Sequence, residues 1–325
     1  RDQILRVLAE GAQEAVGSMG DDTPFPVMSE HVRPLYDSFR QQFAQVTNPP
    51  IDPLRETIVM SLETCLGREK NLFRETHHHA NRLLVRSPVL SSQKFETLLV
   101  MDDEPGYSHL RISLQYDPEQ ETLEAAIRRL CEETIKAVTE DQKVVIVLSD
   151  RDLTSGMLPV HALLATGAVH RALIDAGCRC DANIVVETGT ARDSHQVAVL
   201  VGYGATCVFP YLAYESIQGM SRRGEVSDSD VPQLEQNYRK GINKGLMKIL
   251  SKMGISTISS YRGAKLYEIV GLNSSVVDLC FAGTTSRIEG MDFSDLEEDA
   301  KVLGKAAFNP QVGVSQGGLL QYIHG

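Results

Sequence analysis

Residues 144–148 read VVIVL, an uninterrupted run of apolar and mostly β-branched residues. Such a run predicts a strand that is buried on both faces of a parallel sheet. Two similar runs follow, ANIVVE (182–187) and TCVFPY (206–211), and segments with helical periodicity at 159–175 and 194–201 separate the three. Alternation of apolar strands with helices predicts a parallel sheet with right-handed crossovers.

The same alternation continues on both sides of these runs. FETLLV (95–100) and HLRISLQY (109–116) predict short strands before them, and ISTISS (255–260) and VVDLCF (276–281) predict a fourth and a fifth strand after them. Asp117, with Gln120 completing a capping box, predicts the start of a helix that continues to about residue 135. A long helix is expected from 232 to 253 with Gly254 closing it. Shorter helices are expected at 263–270 and at 294–306, the latter with Glu297 in a capping box.

The N-terminal part has a different pattern. Helical periodicity predicts helices at 2–15, after Ser29, and at 53–66. Between them, FAQVTNPPIDPLRETIVMSL (43–62) contains Pro49, Pro50 and Pro53, which fix an extended, turned backbone. A flexible linker would be polar and rich in Gly or Ser, so this stretch predicts a rigid joint between two folded parts. We therefore expect an N-terminal helical segment and joint (1–52), an α/β domain (53–290) and a C-terminal helix and tail (291–325).

Polar or glycine residues follow each predicted strand, as in SDR (149–151), ETG (187–189) and SSY (259–261). In a barrel these strand ends would lie together on the face where active sites form. The pattern does not separate a partial barrel from an open doubly wound sheet. We predict the former: an α/β fold with an incomplete TIM-barrel-like parallel sheet and alternating helices, preceded by an N-terminal helical segment.

Composition limits the classes of partner. The 325 residues carry a net charge of −11, which argues against binding to nucleic acid or to an anionic membrane. No apolar run is long enough to span a bilayer. The chain opens RDQILRVLAEG, an amphipathic pattern rather than a signal peptide, and its six scattered cysteines are typical of reduced cytoplasmic thiols. Arg1 stands in place of an initiator Met, so we expect a piece of a longer polypeptide.

Two clusters have the residue types of a site. Asp150 and Arg151 form either a ligand-facing pair or a structural ion pair at the sheet edge, and we favour the structural interpretation. The second cluster has two interpretations. It is either a site with acid–base groups and a cation at a helix N-terminus, or a capped turn with solvated charges. We again favour the structural interpretation, the capped turn. It comprises Glu187, Thr188, Gly189, Arg192, Asp193 and His195.

Other candidate motifs are weaker. Three consecutive histidines, His77 to His79, cannot all face one metal ion from a helix, and a surface run is the better interpretation. His161 and His170 lie nine residues apart and do not form a site by spacing. Gly202-Tyr203-Gly204 lacks the third glycine of a dinucleotide fingerprint and is interpreted as a helix stop. We predict no catalytic, cofactor-binding or metal-binding residue in this chain.

The run SMGDDTPFPVMSEHVRPLYDSFRQQFAQVTNPPIDPLRE (18–56) resembles the central domain of the large subunit of bacterial-type glutamate synthase. Four later stretches support the resemblance in order: 144–151, 184–213, 237–272 and FAGTTSRIEG (281–290). The resemblance implies a barrel-like domain of a cytoplasmic NADPH-type enzyme, which makes two glutamates from glutamine, 2-oxoglutarate and reducing equivalents. We expect this chain alone to be inactive.

The resemblance also implies the neighbours of the domain. A glutaminase domain and an FMN domain with an iron–sulfur cluster would flank it in the same chain, and a small NADPH-oxidising subunit would carry FAD. The central domain would join the two active centres and help to wall a channel for ammonia. The channel-side candidates are Thr47, Asn48, Pro49, Pro50 and Ile51. Two alternatives stay open: a cryptic flavin- or phosphate-binding barrel using the 187–195 cluster, and a docking module for the electron-donating subunit through the acidic surface at 292–299.

Overall fold

The computed structural model describes residues 2–15, 17, 19–20, 31–43, 51–54, 57–102, 104, 106–227 and 230–313. In chain order the α-helices are α1 Val7–Gly11, α2 Ser92–Val100, α3 Leu123–Thr139, α4 Ala162–Asp175, α5 Ser194–Gly202, α6 Tyr211–Arg222, α7 Val231–Met253, α8 Ile258–Tyr261, α9 Ser274–Cys280 and α10 Phe293–Ala307. The strands are β1 Phe39–Gln41, β2 Thr64–Leu66, β3 Leu83–Val85, β4 His109–Ser113, β5 Gln115–Tyr116, β6 Val145–Ser149, β7 Leu158–Pro159, β8 Asn183–Glu187, β9 Cys207–Phe209, β10 Tyr267–Leu272 and β11 Thr285–Met291.

The central sheet has four parallel strands in the order β4-β6-β8-β9. Every residue of β6 and β8 is buried, as their apolar sequences predict. Each strand lies beside its successor in the sheet, with α3, α4 and α5 on the connections, so the strand order never reverses as it does in a doubly wound fold. No strand of the described residues closes this sheet into a barrel. The predicted incomplete TIM-barrel-like sheet is therefore confirmed.

Helix starts are set by side-chain caps. The Thr122 hydroxyl accepts the Ala125 amide at 3.3 Å, so α3 begins after Thr122 and not at Asp117. The imidazole of His161 accepts the amide of Leu163 and caps α4. The last helix begins after Asp292 and its capping box uses Asp295, which corrects the predicted role of Glu297. The long helix α7 matches its prediction, and Gly254 ends it in the left-handed conformation.

Four short segments differ from the predicted secondary structure. FETLLV lies in α2, because Ser91 caps a helix there that buries Phe95 and Leu98. VVDLCF lies in α9, which the Asn273 side chain caps. ISTISS forms only the short helix α8 and one isolated bridge. Much of the predicted helix 263–270 is instead strand β10. Short apolar runs fit a helix or a strand equally well, and tertiary packing decided between them.

The first 66 residues, as far as the structure describes them, are less helical than predicted. The first helix consists of a π-helical turn, Asp2–Arg6, and α1. The described part of the helix predicted at 53–66 contains a 3₁₀ turn, Thr57–Val59, and β2. Ser29 lies outside the described residues, and the described part of the helix predicted after it is a 3₁₀ turn followed by β1. That strand pairs antiparallel with β10, which pairs in parallel with β11. Backbone pairing with a distant strand outweighs the helical spacing of the apolar side chains here.

A single core of apolar side chains connects the sheet with its helices and with the N-terminal elements. The N-terminal helix α1 packs on α7, where the Asn237 side chain donates to the carbonyl of Ala9 at 3.0 Å. Among the described helices, none is both long enough and apolar enough to cross a membrane.

Candidate functional site

Polar side chains meet where the parallel strands end. Ser113, Ser149 and Glu187 are paired across neighbouring strands. Arg111 precedes Ser113 by two residues on β4, so its side chain projects from the same face of the sheet. The Arg111 Nε and the Ser149 hydroxyl each donate to Glu187 Oε2 at 2.7 Å. Glu187 is only 1% exposed. A buried carboxylate requires such partners, and these three strands supply them.

Arg151 occupies the other oxygen of this carboxylate. Its guanidinium lies 3.4 Å from Glu187 Oε1 and 2.7 Å from Glu215 Oε1, and it stacks 4.9 Å from the centre of the Tyr211 ring. Both oxygens of Glu187 are thus engaged by protein groups. Three carboxylates, with Asp152 as the third, face two guanidiniums in this cluster, so it has no surplus positive charge for an anionic ligand.

Asp150 has partners of its own. Its Oδ2 accepts the Thr188 hydroxyl at 2.5 Å and its Oδ1 accepts the Gly189 amide at 2.8 Å. Burial raises the pKa of Asp150 in spite of these bonds. The predicted structural role of Asp150 and Arg151 agrees with these contacts. The predicted ion pair between the two residues is wrong. Asp150 instead binds the turn after β8, and Arg151 binds Glu187 and Glu215.

The turn after β8 leads into α5. Asp193 caps this helix by accepting the Gln196 amide at 2.9 Å, and burial raises the pKa of Asp193. His195 is only 4% exposed. Its Nε2 lies 3.1 Å from the carbonyl of Tyr36, which can only accept, so Nε2 carries the proton. Its Nδ1 then accepts a hydrogen bond from the Gln41 side chain. The predicted capped turn is confirmed. The prediction of solvated charges holds for Arg192, which is exposed, but is wrong for Glu187 and His195, which are buried.

The N-terminal segment covers this turn. The Tyr36 hydroxyl lies 2.9 Å from Thr190 Oγ1, and the Tyr36 ring packs edge-on against His161 at 5.0 Å. Thr190 in turn lies 2.9 Å from Thr188 Oγ1. A continuous series of hydroxyls, Thr188, Thr190 and Tyr36, therefore connects Asp150 to the N-terminal segment.

The remaining motifs are structural. The histidine run lies on an exposed 3₁₀ turn, and no three His, Cys, Asp or Glu side chains in the described part of the chain are placed to hold a metal ion. His170 accepts from Arg179 Nε at 2.8 Å, separately from His161. Gly202 ends α5, and Gly204 has φ +115° just after it. The interpretation of this tripeptide as a helix stop is confirmed.

Of the five channel-side candidates, Thr47, Asn48, Pro49 and Pro50 lie outside the described residues. Ile51 is described: its carbonyl accepts a hydrogen bond from the Ser251 hydroxyl on α7, and its side chain packs partly buried against the core. Sequence reasoning missed Arg111 and Glu215. A cation inside an otherwise strand-like run was the available signal for Arg111, and Glu215 lies on α6, a helix that was not predicted.

Comparisons with known proteins identify the family. The family described as glutamate synthase central domain matches residues 1–273. Glutamate synthase [NADH] of Saccharomyces cerevisiae is 38% identical, covering 96% of this chain and 15% of the relative. Ferredoxin-dependent glutamate synthase 2 of Synechocystis and the glutamate synthase [NADPH] large chain of Bacillus subtilis are 39% and 37% identical, each over 94% of this chain and 20% of the relative.

The chain thus spans a fifth or less of the length of these three relatives, and their names specify three different electron donors. Among solved structures, this chain is similar to a flavocytochrome b2. The overlap covers 73% of this chain and 48% of the flavocytochrome chain, at 16% sequence identity. Its TM-score of 0.37 is too low to argue a shared activity. The family match covers most of the chain, and the relatives are similar along nearly all of it. This chain belongs to the glutamate synthase central domain family.

Proposed function

We propose that this chain is the connecting domain of a glutamate synthase, which joins a glutaminase domain to an FMN-containing synthase domain and helps to wall the path of ammonia between them. One observation carries the proposal: a family member that spans a fifth or less of its relatives keeps the two buried carboxylates at its strand ends, Glu187 and Asp150, bound to its own residues. Each oxygen of the two carboxylates has a protein partner. In this proposal the domain acts through its neighbours.

The joint at 43–62 is the best candidate for the channel wall. Ammonia must be kept from water and from protonation, which favours a rigid path with few charges. Proline restricts the backbone of this stretch, and the hydrogen bond from Ser251 to the carbonyl of Ile51 attaches the stretch to α7. Thr47 and Asn48 are small and uncharged, and they would line the path beside Pro49 and Pro50.

The test replaces Asn48 with Trp in the full-length enzyme. We expect glutamine hydrolysis to continue while glutamate formation from 2-oxoglutarate falls several-fold, because ammonia then escapes to solvent. The measurement is the ratio of glutamine consumed to 2-oxoglutarate consumed, because glutamine hydrolysis itself releases one glutamate. Asn309→Trp is the control, since Asn309 is exposed beyond α10. An unchanged ratio in Asn48→Trp would rule out this position as a channel wall.

The cofactors belong to the neighbours in this proposal. FMN and the iron–sulfur cluster lie in the following domain, and FAD and NADPH lie on a small subunit in the cytoplasm. The Glu187 carboxylate occupies the space between Arg111 and Arg151, so these residues do not fit a flavin phosphate. The docking alternative has less support, because Glu297 turns inward to the Leu123 amide at 2.9 Å instead of facing a partner. The division at residues 52 and 290 stays a prediction.

A further inference from the structure

The loop between β2 and β3, residues 67–82, presents two large apolar side chains to solvent. Leu72 is 85% exposed and Phe73 is 97% exposed. They are adjacent at the tip of the loop, and neither packs against the core of this domain. Single exposed apolar residues are common, whereas a fully exposed aromatic beside an exposed leucine is typical of an anchor for another protein surface.

The tip is held in one conformation by its own hydrogen bonds. The Asn71 side chain accepts the Phe73 amide at 2.9 Å, and the Asn71 carbonyl accepts the Arg74 amide at 3.0 Å. The His79 side chain braces the turn: its Nε2 lies 3.2 Å from the Asn71 carbonyl, and its Nδ1 accepts the Thr76 amide at 3.4 Å. A tip that is already ordered loses little conformational entropy when it binds.

The base of the loop is fastened to the amino end of the parallel sheet. The side chain of Asn183, the first residue of β8, donates to the Gly67 carbonyl at 3.1 Å. The Glu69 amide donates to the carbonyl of Cys180, and Arg68 binds Gln142 just before β6. The loop therefore projects from the end of the sheet opposite to the Glu187 cluster, and the two ends of the domain face different surroundings.

Charge at the tip indicates the chemistry of the partner. Lys70 and Arg74 flank the two apolar residues, and no ion pair joins either of them to a described residue. Two acidic residues adjoin them in sequence: Glu75 follows Arg74, and Glu69 precedes Lys70 but is engaged by Arg82 and Arg262 at 3.6 Å. The complementary surface is an apolar recess with carboxylates at its rim.

We propose that the loop 67–82 is a docking finger, whose Leu72 and Phe73 enter an acidic-rimmed apolar recess on a neighbouring domain of the same polypeptide. The inference rests on the proposed connecting function. The similar chains are five or more times longer than this one, so most of the surface that this finger meets in them belongs to the same chain. A rigid tip at the end opposite to the Glu187 cluster gives a connecting domain a second point of attachment.

Photo-crosslinking in the full-length protein tests this docking. Phe73→p-benzoylphenylalanine should give, on irradiation, an intrachain crosslink to a peptide outside residues 1–325. Val100→p-benzoylphenylalanine is the matched control, since Val100 is also apolar and 78% exposed. We expect a yield at least several-fold above this control, reduced several-fold when Lys70→Glu and Arg74→Glu are added.

Crosslinks from position 73 to a second copy of the chain or to a separate subunit, or a yield no higher than that of the control, would overturn the docking proposal. The mass of the full-length chain distinguishes the two proposals. A polypeptide without glutaminase and FMN domains would contradict the connecting function itself. A polypeptide that has both domains but gives no intrachain crosslink contradicts the docking finger alone.

Discussion

Glu187 and Glu215 both bind Arg151, but in different environments. Glu187 is buried and accepts from two arginines and Ser149, whereas Glu215 is 47% exposed in its side chain and binds Arg151 alone. We expect Glu187→Ala to lower the free energy of unfolding by about 2–3 kcal/mol, because it leaves Arg111 and Arg151 without their shared anion. Glu215→Ala should cost less than about 1 kcal/mol. Urea denaturation of both variants measures the difference, and equal losses would contradict the role of Glu187.

His170 makes stability depend on pH. Burial, together with Arg179, Lys265 and Arg262, lowers the pKa of His170 to about 3, and its Nδ1 accepts from Arg179. The unfolded chain binds the proton more readily than the folded one, so stability is present above an unfolded pKa of about 6.5 and is lost as pH falls toward the folded value. Between pH 6.5 and 5 we expect this histidine to account for a loss of about 1.5 kcal/mol.

The comparison uses two substitutions to glutamine. His170→Gln keeps an acceptor for Arg179 and cannot titrate, so its free energy of unfolding should change less over this pH interval. His77→Gln serves as the control, because His77 is exposed on the loop of the docking finger. The same slope in all three proteins would show that His170 does not titrate on unfolding.

At the scale of elements, close packing of α4 against α9 depends on Gly167. A Cβ at Gly167 would overlap the carbonyl oxygen of Cys280 at the end of α9. Gly304 in α10 is a matched position, where a Cβ would meet only the Leu158 side chain at 3.4 Å. Gly167→Ala should lower the free energy of unfolding by about 1–3 kcal/mol, because the helices must separate. Gly304→Ala should be neutral or raise it by up to about 1 kcal/mol. Thermal unfolding of both variants tests this, and a stabilised Gly167→Ala would contradict the packing.

The strands of the sheet were predictable from the sequence, whereas helix α9 and the Glu187 cluster were not. The strands β6 and β8 were predictable because their runs VVIVL (144–148) and IVV (184–186) are apolar and mostly β-branched, which leaves few alternatives. The helix α9 was not, because VVDLCF is equally apolar but its geometry depends on the Asn273 cap and on contact with α4. The Glu187 cluster depends likewise on strand register: Arg111 and Glu187 are 76 residues apart and meet only once β4, β6 and β8 align.

At the scale of the whole molecule, the strand order β4-β6-β8-β9 forms an open half-barrel. The Glu187 cluster lies at the carboxyl ends of these strands, which is the face where barrels bind phosphate. An anion entering there would have to displace Glu187 from two guanidiniums while Asp152 and Glu215 repel it. We therefore expect titration of the isolated chain with FMN to give no saturable change in flavin fluorescence. Riboflavin, which lacks the phosphate, is the control ligand and should behave in the same way.

A saturable signal with FMN and not with riboflavin would mean that a phosphate site exists in this half-barrel. Arg111→Ala would then locate it: loss of the signal would place the phosphate at the strand ends, since Arg111 is the β4 guanidinium that binds Glu187. A signal that survives Arg111→Ala would indicate a site elsewhere in the chain. Binding of neither flavin would agree with a strand-end cluster in which the Glu187 carboxylate, and not a ligand, binds Arg111 and Arg151.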